Sequence, residues 1–226
     1  GAMGLGNMVF VAMFLPETNV RKPSSGRFTL WKGARNIVAA VEDAQTRPLY
    51  LASFLYLLGF GFMPPFYGVF LVNRHGFSET EVGMAFAAVG ACVVFSQLVL
   101  LRFLTKRFSE RAILRVSMLV VAASFAVVSF LPSATLVMAA IPFTAMPQGL
   151  TMANMTALIS RSVGSDKQGV ALGINGSLLA LGNALAPLIG GAGSAVSDIH
   201  TPFVLGAISI AAAWLILFLV AVRRMP

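Results

Sequence analysis

Residues 202–222 read PFVLGAISIAAAWLILFLVAV, with His200 before the run, Arg223 after it and no charged side chain inside. At 1.5 Å of rise per residue, a helix of that length spans the roughly 30 Å hydrocarbon core of a bilayer. Five further runs of the same character lie at 48–73, 80–104, 112–131, 134–160 and 168–194. In hydrocarbon only helices and closed barrels satisfy their own backbone polar groups. Runs this long and this continuously apolar are too long for barrel strands, so six membrane-spanning helices are expected.

Composition agrees. The chain of 226 residues is 58% hydrophobic and only 11% charged, with mean hydropathy +0.85. Soluble domains carry about a quarter charged residues, and a water-soluble fold of this length cannot hide so much apolar surface. The bilayer is therefore the first expected partner. The net charge of +8 invites a nucleic-acid reading, but the cations are distributed as topology signals. Arg21, Lys22, Arg27, Lys32, Arg35 and Arg47 precede the first span. Arg102, Lys106, Arg107, Arg111 and Arg115 surround the second connection, Arg161 and Lys167 the fourth, and Arg223 and Arg224 follow the last span. Only Arg74 falls on the other side. By the positive-inside rule the N-terminal linker, the even connections and the C-terminus face the cytoplasm. No continuous basic stripe for nucleic acid is left.

The expected organisation is three-part. Residues 1–15 read as the tail of a truncated transmembrane helix, 16–47 as a cytoplasmic linker, and 48–226 as the six-helix bundle. Within the linker, Leu30, Trp31, Ala34, Ile37, Val38 and Val41 recur at helical spacing, the pattern of an interfacial amphipathic helix or of a partner-binding one. Ser78 with Glu81, and Ser165 with Gln168, have capping-box spacing at the start of the second helix of each trio. The first helix of each trio contains prolines: Pro64 and Pro65, then Pro142 and Pro147. A trio has an odd number of spans, so the second must be inverted relative to the first. Inverted repeats with matched interrupted helices point to a transport pathway. Prolines that are simply common in membrane helices remain the alternative.

The fifth span carries Gly173, Ser177, Gly182, Pro187, Gly190 and Gly191 among further small residues. Small side chains let helices approach closely in lipid. Polar and aromatic residues within the spans form a candidate substrate lining: Phe62, Tyr67, Gln97, Gln148, Thr151, Met155, Asn175 and Asn183. Apolar cavities with a few polar groups suit lipophilic ligands. The alternative is that the amides and hydroxyls bond to neighbouring helices.

These residues also resemble a known family. Gly173, Gly182, Ala186, Pro187, Gly190 and Gly191 match the spacing G-x8-G-x3-G-P-x2-G-G of the antiporter glycine motif, with Ala186 in place of one glycine. Leu15-Pro16-Glu17-Thr18-Asn19 resembles the end of that family's sixth helix. Residues 102–111 resemble the second copy of its G-x-x-x-D-R-x-G-R-R loop. Arg107 and Arg111 match, whereas Arg102, Lys106, Ser109 and Glu110 depart. The chain thus resembles the C-terminal half of a major facilitator superfamily transporter, especially the drug:proton antiporter branch that includes the tetracycline exporters. The resemblance implies half of a fold of about twelve helices, a small-molecule substrate, and a partner that is either an N-terminal six-helix half or a second copy.

Every Asp and Glu lies in an expected loop or at a helix end, as do His75 and His200. No ionisable group marks a proton relay at membrane depth, so the carrier of an antiporter is expected in the other half. Cys92 has no cysteine partner for a disulfide or metal pair. No zinc-helix or phosphate-loop motif occurs, and no base accompanies a serine within the spans. The expectation is a multi-pass cell-membrane exporter that is not an enzyme and needs no cofactor or metal. A sugar or metabolite carrier of the same superfamily, a membrane scaffold and a self-associating half-transporter are the alternatives.

Overall fold

The computed structural model describes residues 2–14 and 46–221. The linker helix around Trp31, the Leu15–Asn19 motif and the terminal Arg223 and Arg224 lie outside them. The chain divides into two units, Gly1–Lys32 and Gly33–Pro226. The described part of the first is one helix, α1 (Ala2–Phe14). Phe10 and Phe14, four residues apart on one face, stack there at 4.9 Å.

The second unit holds six helical segments long and apolar enough to cross a bilayer, with mean hydropathy from 1.3 to 2.3. The first span is α2 (Arg47–Gly61) followed by α3 (Met63–His75). The helix is interrupted at Phe62, and Pro64 and Pro65 fall at the start of α3, where a missing N–H costs least. The second span is α4 (Glu79–Phe95), a π-helical turn (Ser96–Leu100) and α5 (Leu101–Leu104). The third is α6 (Glu110–Val128), the fourth α7 (Ala134–Arg161) and the fifth α8 (Gln168–Val196). The sixth is α9 (Thr201–Ile216) with a π-helical turn (Leu217–Ala221). Unlike the first span, the fourth stays helical through both Pro142 and Pro147.

Local chemistry fixes the ends. Gly76 closes α3 at φ 70°, the left-handed region that glycine enters without a Cβ penalty. Ser78 and Glu81 form the expected capping box before α4, with the Ser78 N–H donating to Glu81 Oε2 at 2.8 Å. Ser109 and Ser133 cap α6 and α7 by accepting from Ala112 N–H and Leu136 N–H. The Ser165–Gln168 box does not form. The Lys167 N–H donates to Gly164 O at 2.9 Å, which holds 165–167 in a turn. α8 therefore starts only at Gln168, with Lys167 as its uncapped N-cap.

The packing shows the two inverted three-helix repeats. The first span packs on the fifth and sixth; the fourth packs on the second and third; the third and sixth pack on each other. Exchanging the trios leaves that pattern unchanged. The crossings of the first span with the fifth and sixth are made over small residues. A Cβ on Gly59 would lie 2.8 Å from Gly206 O, and one on Gly206 would lie 3.0 Å from Gly59 O. Around this contact Tyr56, Phe125, Met118, Phe203 and Ile210 fill the interior.

Candidate functional site

The spans do not share burial equally. Only 11% of the second span's apolar window and 22% of the fifth's are buried, against 39–50% for the other four. The exposed surfaces of these two helices are copies of each other. Residue i of the second span matches residue i+86 of the fifth (171 − 85 = 86). Ala85 and Ala171 are buried, as are Ser96 and Gly182. Gly83 and Gly169, Ala87 and Gly173, Gly90 and Gly176, Ala91 and Ser177, and Gln97 and Asn183 are exposed pairwise. Nothing lies within 4 Å of a Cβ placed on Gly83, Gly90, Gly169, Gly173, Gly176 or Gly191.

Small residues spread over an otherwise leucine-rich helix leave shallow surfaces that lipid tails fill poorly and another helix fills well. Two amide side chains interrupt this face at equivalent positions, besides the Ser177 hydroxyl, which donates to Gly173 O. Asn183 sits at the middle of its span and makes no hydrogen bond to the described residues. Gln97 lies about 8 Å from the middle of its span, toward the basic end. It donates to Gly149 O over a long 3.5 Å from within the π-helical turn. Such turns recur where a helix is adapted to function. Asn175, half-buried on the same span as Asn183, accepts from Ser53 Oγ at 2.6 Å.

The other expected lining residues point inward. Gln148, Thr151 and Met155 are buried along α7. Thr151 Oγ1 donates to Ser117 Oγ at 2.8 Å, and Tyr56 Oη donates to Gln148 O at 3.4 Å. Phe62 and Tyr67 are buried too. Phe62 packs on Gly190, where a Cβ would meet its Cδ1 at 3.0 Å, and Tyr67 meets the edge of Phe86 at 5.8 Å between ring centres. Ser53, Tyr56 and Ser117 are partners that the sequence did not single out. Their signal was a hydroxyl inside an apolar span, which needs an acceptor somewhere.

The glycine motif divides between two faces. Gly182 lies against the Leu57–Leu58 backbone, Ala186 against Gly61, and Gly190 against Phe62 and Phe66. Gly173, Ser177, Pro187 and Gly191 lie on the exposed face. The prolines divide as well: Pro64 and Pro65 are exposed, Pro142 and Pro147 half-buried. At the basic end, Arg107 and Arg111 are exposed; the Arg107 guanidinium stacks over Phe103 at 5.4 Å. At the opposite end Arg74 donates to His200 Nε2 at 3.1 Å, and His200 stacks on Phe130 at 4.7 Å. The described residues contain no group of three His, Cys, Asp or Glu side chains that would hold a metal.

The duplicated surface of the second and fifth spans is thus the largest departure from even burial among the six spans. A comparison with curated proteins gives no match. A family model does match: residues 49–226, which take in all but the first two residues of α2 and everything after it, fit the Major Facilitator Superfamily model. The six spans, their inverted repeats and this match together establish the chain as a membrane-embedded transporter belonging to the Major Facilitator Superfamily.

Proposed function

We propose that this chain is the six-span half of an exporter of small lipophilic or amphipathic compounds, working by alternating access against a second six-helix unit. The observation that carries the proposal is the duplicated exposed face of the second and fifth spans. Its small residues suit a sliding helix contact, and its polar groups are the neutral amides Gln97 and Asn183 and the Ser177 hydroxyl. A face with no charge and two amides has little to offer a heavily hydroxylated or ionic solute. It suits an apolar molecule that needs one or two hydrogen bonds for orientation.

The facing unit is a second six-helix half or a second copy of this chain. In this reading the basic ends of the spans face the cytoplasm, since that is where Lys and Arg concentrate. Proton coupling rests on groups in the facing unit, because these spans carry no carboxylate or histidine at membrane depth. The interior set of Gln148, Thr151 and Met155 then stiffens the half that rocks, while the duplicated face meets the solute.

Flux of a neutral lipophilic dye through proteoliposomes holding the assembled transporter tests this. Dye export that accelerates under an imposed pH gradient is the expected result. Dye flux indifferent to the gradient removes proton coupling. Sugar flux without dye flux removes the exporter reading.

A further inference from the structure

We propose that the groove between the second, third and fourth spans at the basic end is a binding site for one anionic phospholipid. It has a volume of about 260 Å³ and is lined by Leu104, Phe108, Ile113, Val116, Val120 and Pro147, among others. Its cytoplasmic placement follows the orientation proposed above; its chemistry does not depend on the transported cargo.

The dimensions fit an acyl chain of one leaflet. The groove opens beside the turn between Leu104 and Phe108 and ends at Val120, eleven residues along from the Ser109 cap. That is about 16 Å of helix, or half the hydrocarbon thickness. Its one polar lining group is already engaged: Ser117 Oγ donates to Leu114 O and accepts from Thr151. What remains on the wall is apolar.

The headgroup preference follows from the mouth. Lys106 and Arg107 occupy the turn between the lining residues Leu104 and Phe108, and both are exposed. Glu110, the only acid in this connection, is held by Arg161 at 2.6 Å. Neither Lys106 nor Arg107 makes an ion pair with the described residues. Two cations without carboxylate partners among the described residues thus stand beside an apolar slot of one-leaflet depth, which is the chemistry of a phosphate ester carrying an acyl chain.

A second groove supplies an internal control. It begins at the same Val120 and runs to the other end of the third and fourth spans, through Val127, Leu131, Leu136 and Phe143, with a volume of about 480 Å³. The connection at that mouth, Phe130-Leu131-Pro132-Ser133, carries no Lys or Arg, and Arg74, which reaches His200 beside Phe130, is already engaged there. It has room for a chain but no preference for a charged headgroup.

The test is native mass spectrometry of the protein released from bilayers of equal phosphatidylglycerol and phosphatidylcholine. Retention of one phosphatidylglycerol in preference to phosphatidylcholine is expected. Lys106→Gln and Arg107→Gln should each lower that preference about fivefold, the usual worth of one cation at a membrane surface. Val116→Trp, which fills the slot from a side chain 60% exposed, should abolish retention with both cations in place. Val127→Trp in the second groove should leave it unchanged. Equal retention of both lipids overturns the proposal. So does a preference that survives Val116→Trp, because attraction then comes from diffuse charge and not from a seated lipid.

Discussion

Placing one methyl group where the first and fifth spans cross measures how tightly the bundle depends on bare backbone. In Gly182→Ala the new Cβ would stand 3.0 Å from Leu58 N and 3.1 Å from both Leu57 C and Leu57 O. Those separations are tighter than a Cβ ordinarily tolerates, so each neighbour must give by a few tenths of an ångström. All three neighbours are backbone, and no rotamer change relieves them; the spans must part. Overpacking of this kind costs about 1–3 kcal/mol. Alanine also favours helix over glycine by about 1 kcal/mol, which would mask part of the loss. Gly173→Ala removes that ambiguity, since it makes the same exchange on the same helix with nothing within 4 Å. The difference between the two variants isolates the steric term, a factor of roughly 5 to 150 in the unfolding equilibrium. Equilibrium unfolding of this chain in mixed micelles, followed by circular dichroism, reads it directly. If Gly182→Ala proves as stable as Gly173→Ala, the fifth span does not lie where it is described and the repeat packing fails with it.

Two further predictions concern single contacts. A double-mutant cycle on Ser53→Ala and Asn175→Leu should give a coupling of about 0.6–2 kcal/mol, read by the same unfolding assay; zero coupling means that the 2.6 Å bond between them does not hold in lipid. Gly76→Val should destabilise the α3 end by about 1–2 kcal/mol, because φ 70° is strained for a residue with a branched Cβ; unchanged stability would remove the left-handed cap.

The six spans were legible because apolar run length is a one-dimensional property, and the bilayer turns it into structure with few competing solutions. The Ser78 cap was legible for the same reason: its partner Glu81 is three residues away. The Ser165–Gln168 spacing looked identical, yet the turn closed by Gly164 and Lys167 took those residues. Such competition between a cap and a turn leaves no mark in the spacing. Facing was not legible. Gln148, Thr151 and Asn183 read alike as polar groups in apolar runs. Burial separates them: Thr151 is fully buried beside Ser117, while Asn183 is exposed. Which side of a helix meets its neighbours depends on how the trios interleave, and that is a property of the assembled bundle. The glycine motif divides for the same reason, with Gly182 in a crossing and Gly173 outside it.

Thiol labelling in membranes containing the assembled transporter tests whether the duplicated face lines the pathway. Cys92 is the one cysteine of these 226 residues, so a Cys92→Ala background, with any thiol of the facing unit also replaced, is silent. Single Gln97→Cys and Asn183→Cys variants are compared with Val127→Cys, which is 57% exposed on the far seam of the third and fourth spans. Gln97→Cys and Asn183→Cys should react with a membrane-impermeant maleimide and be protected by cargo, whereas Val127→Cys should react only with a lipid-soluble reagent. If all three react alike with the lipid-soluble reagent alone, that face looks onto lipid and the transport pathway lies elsewhere.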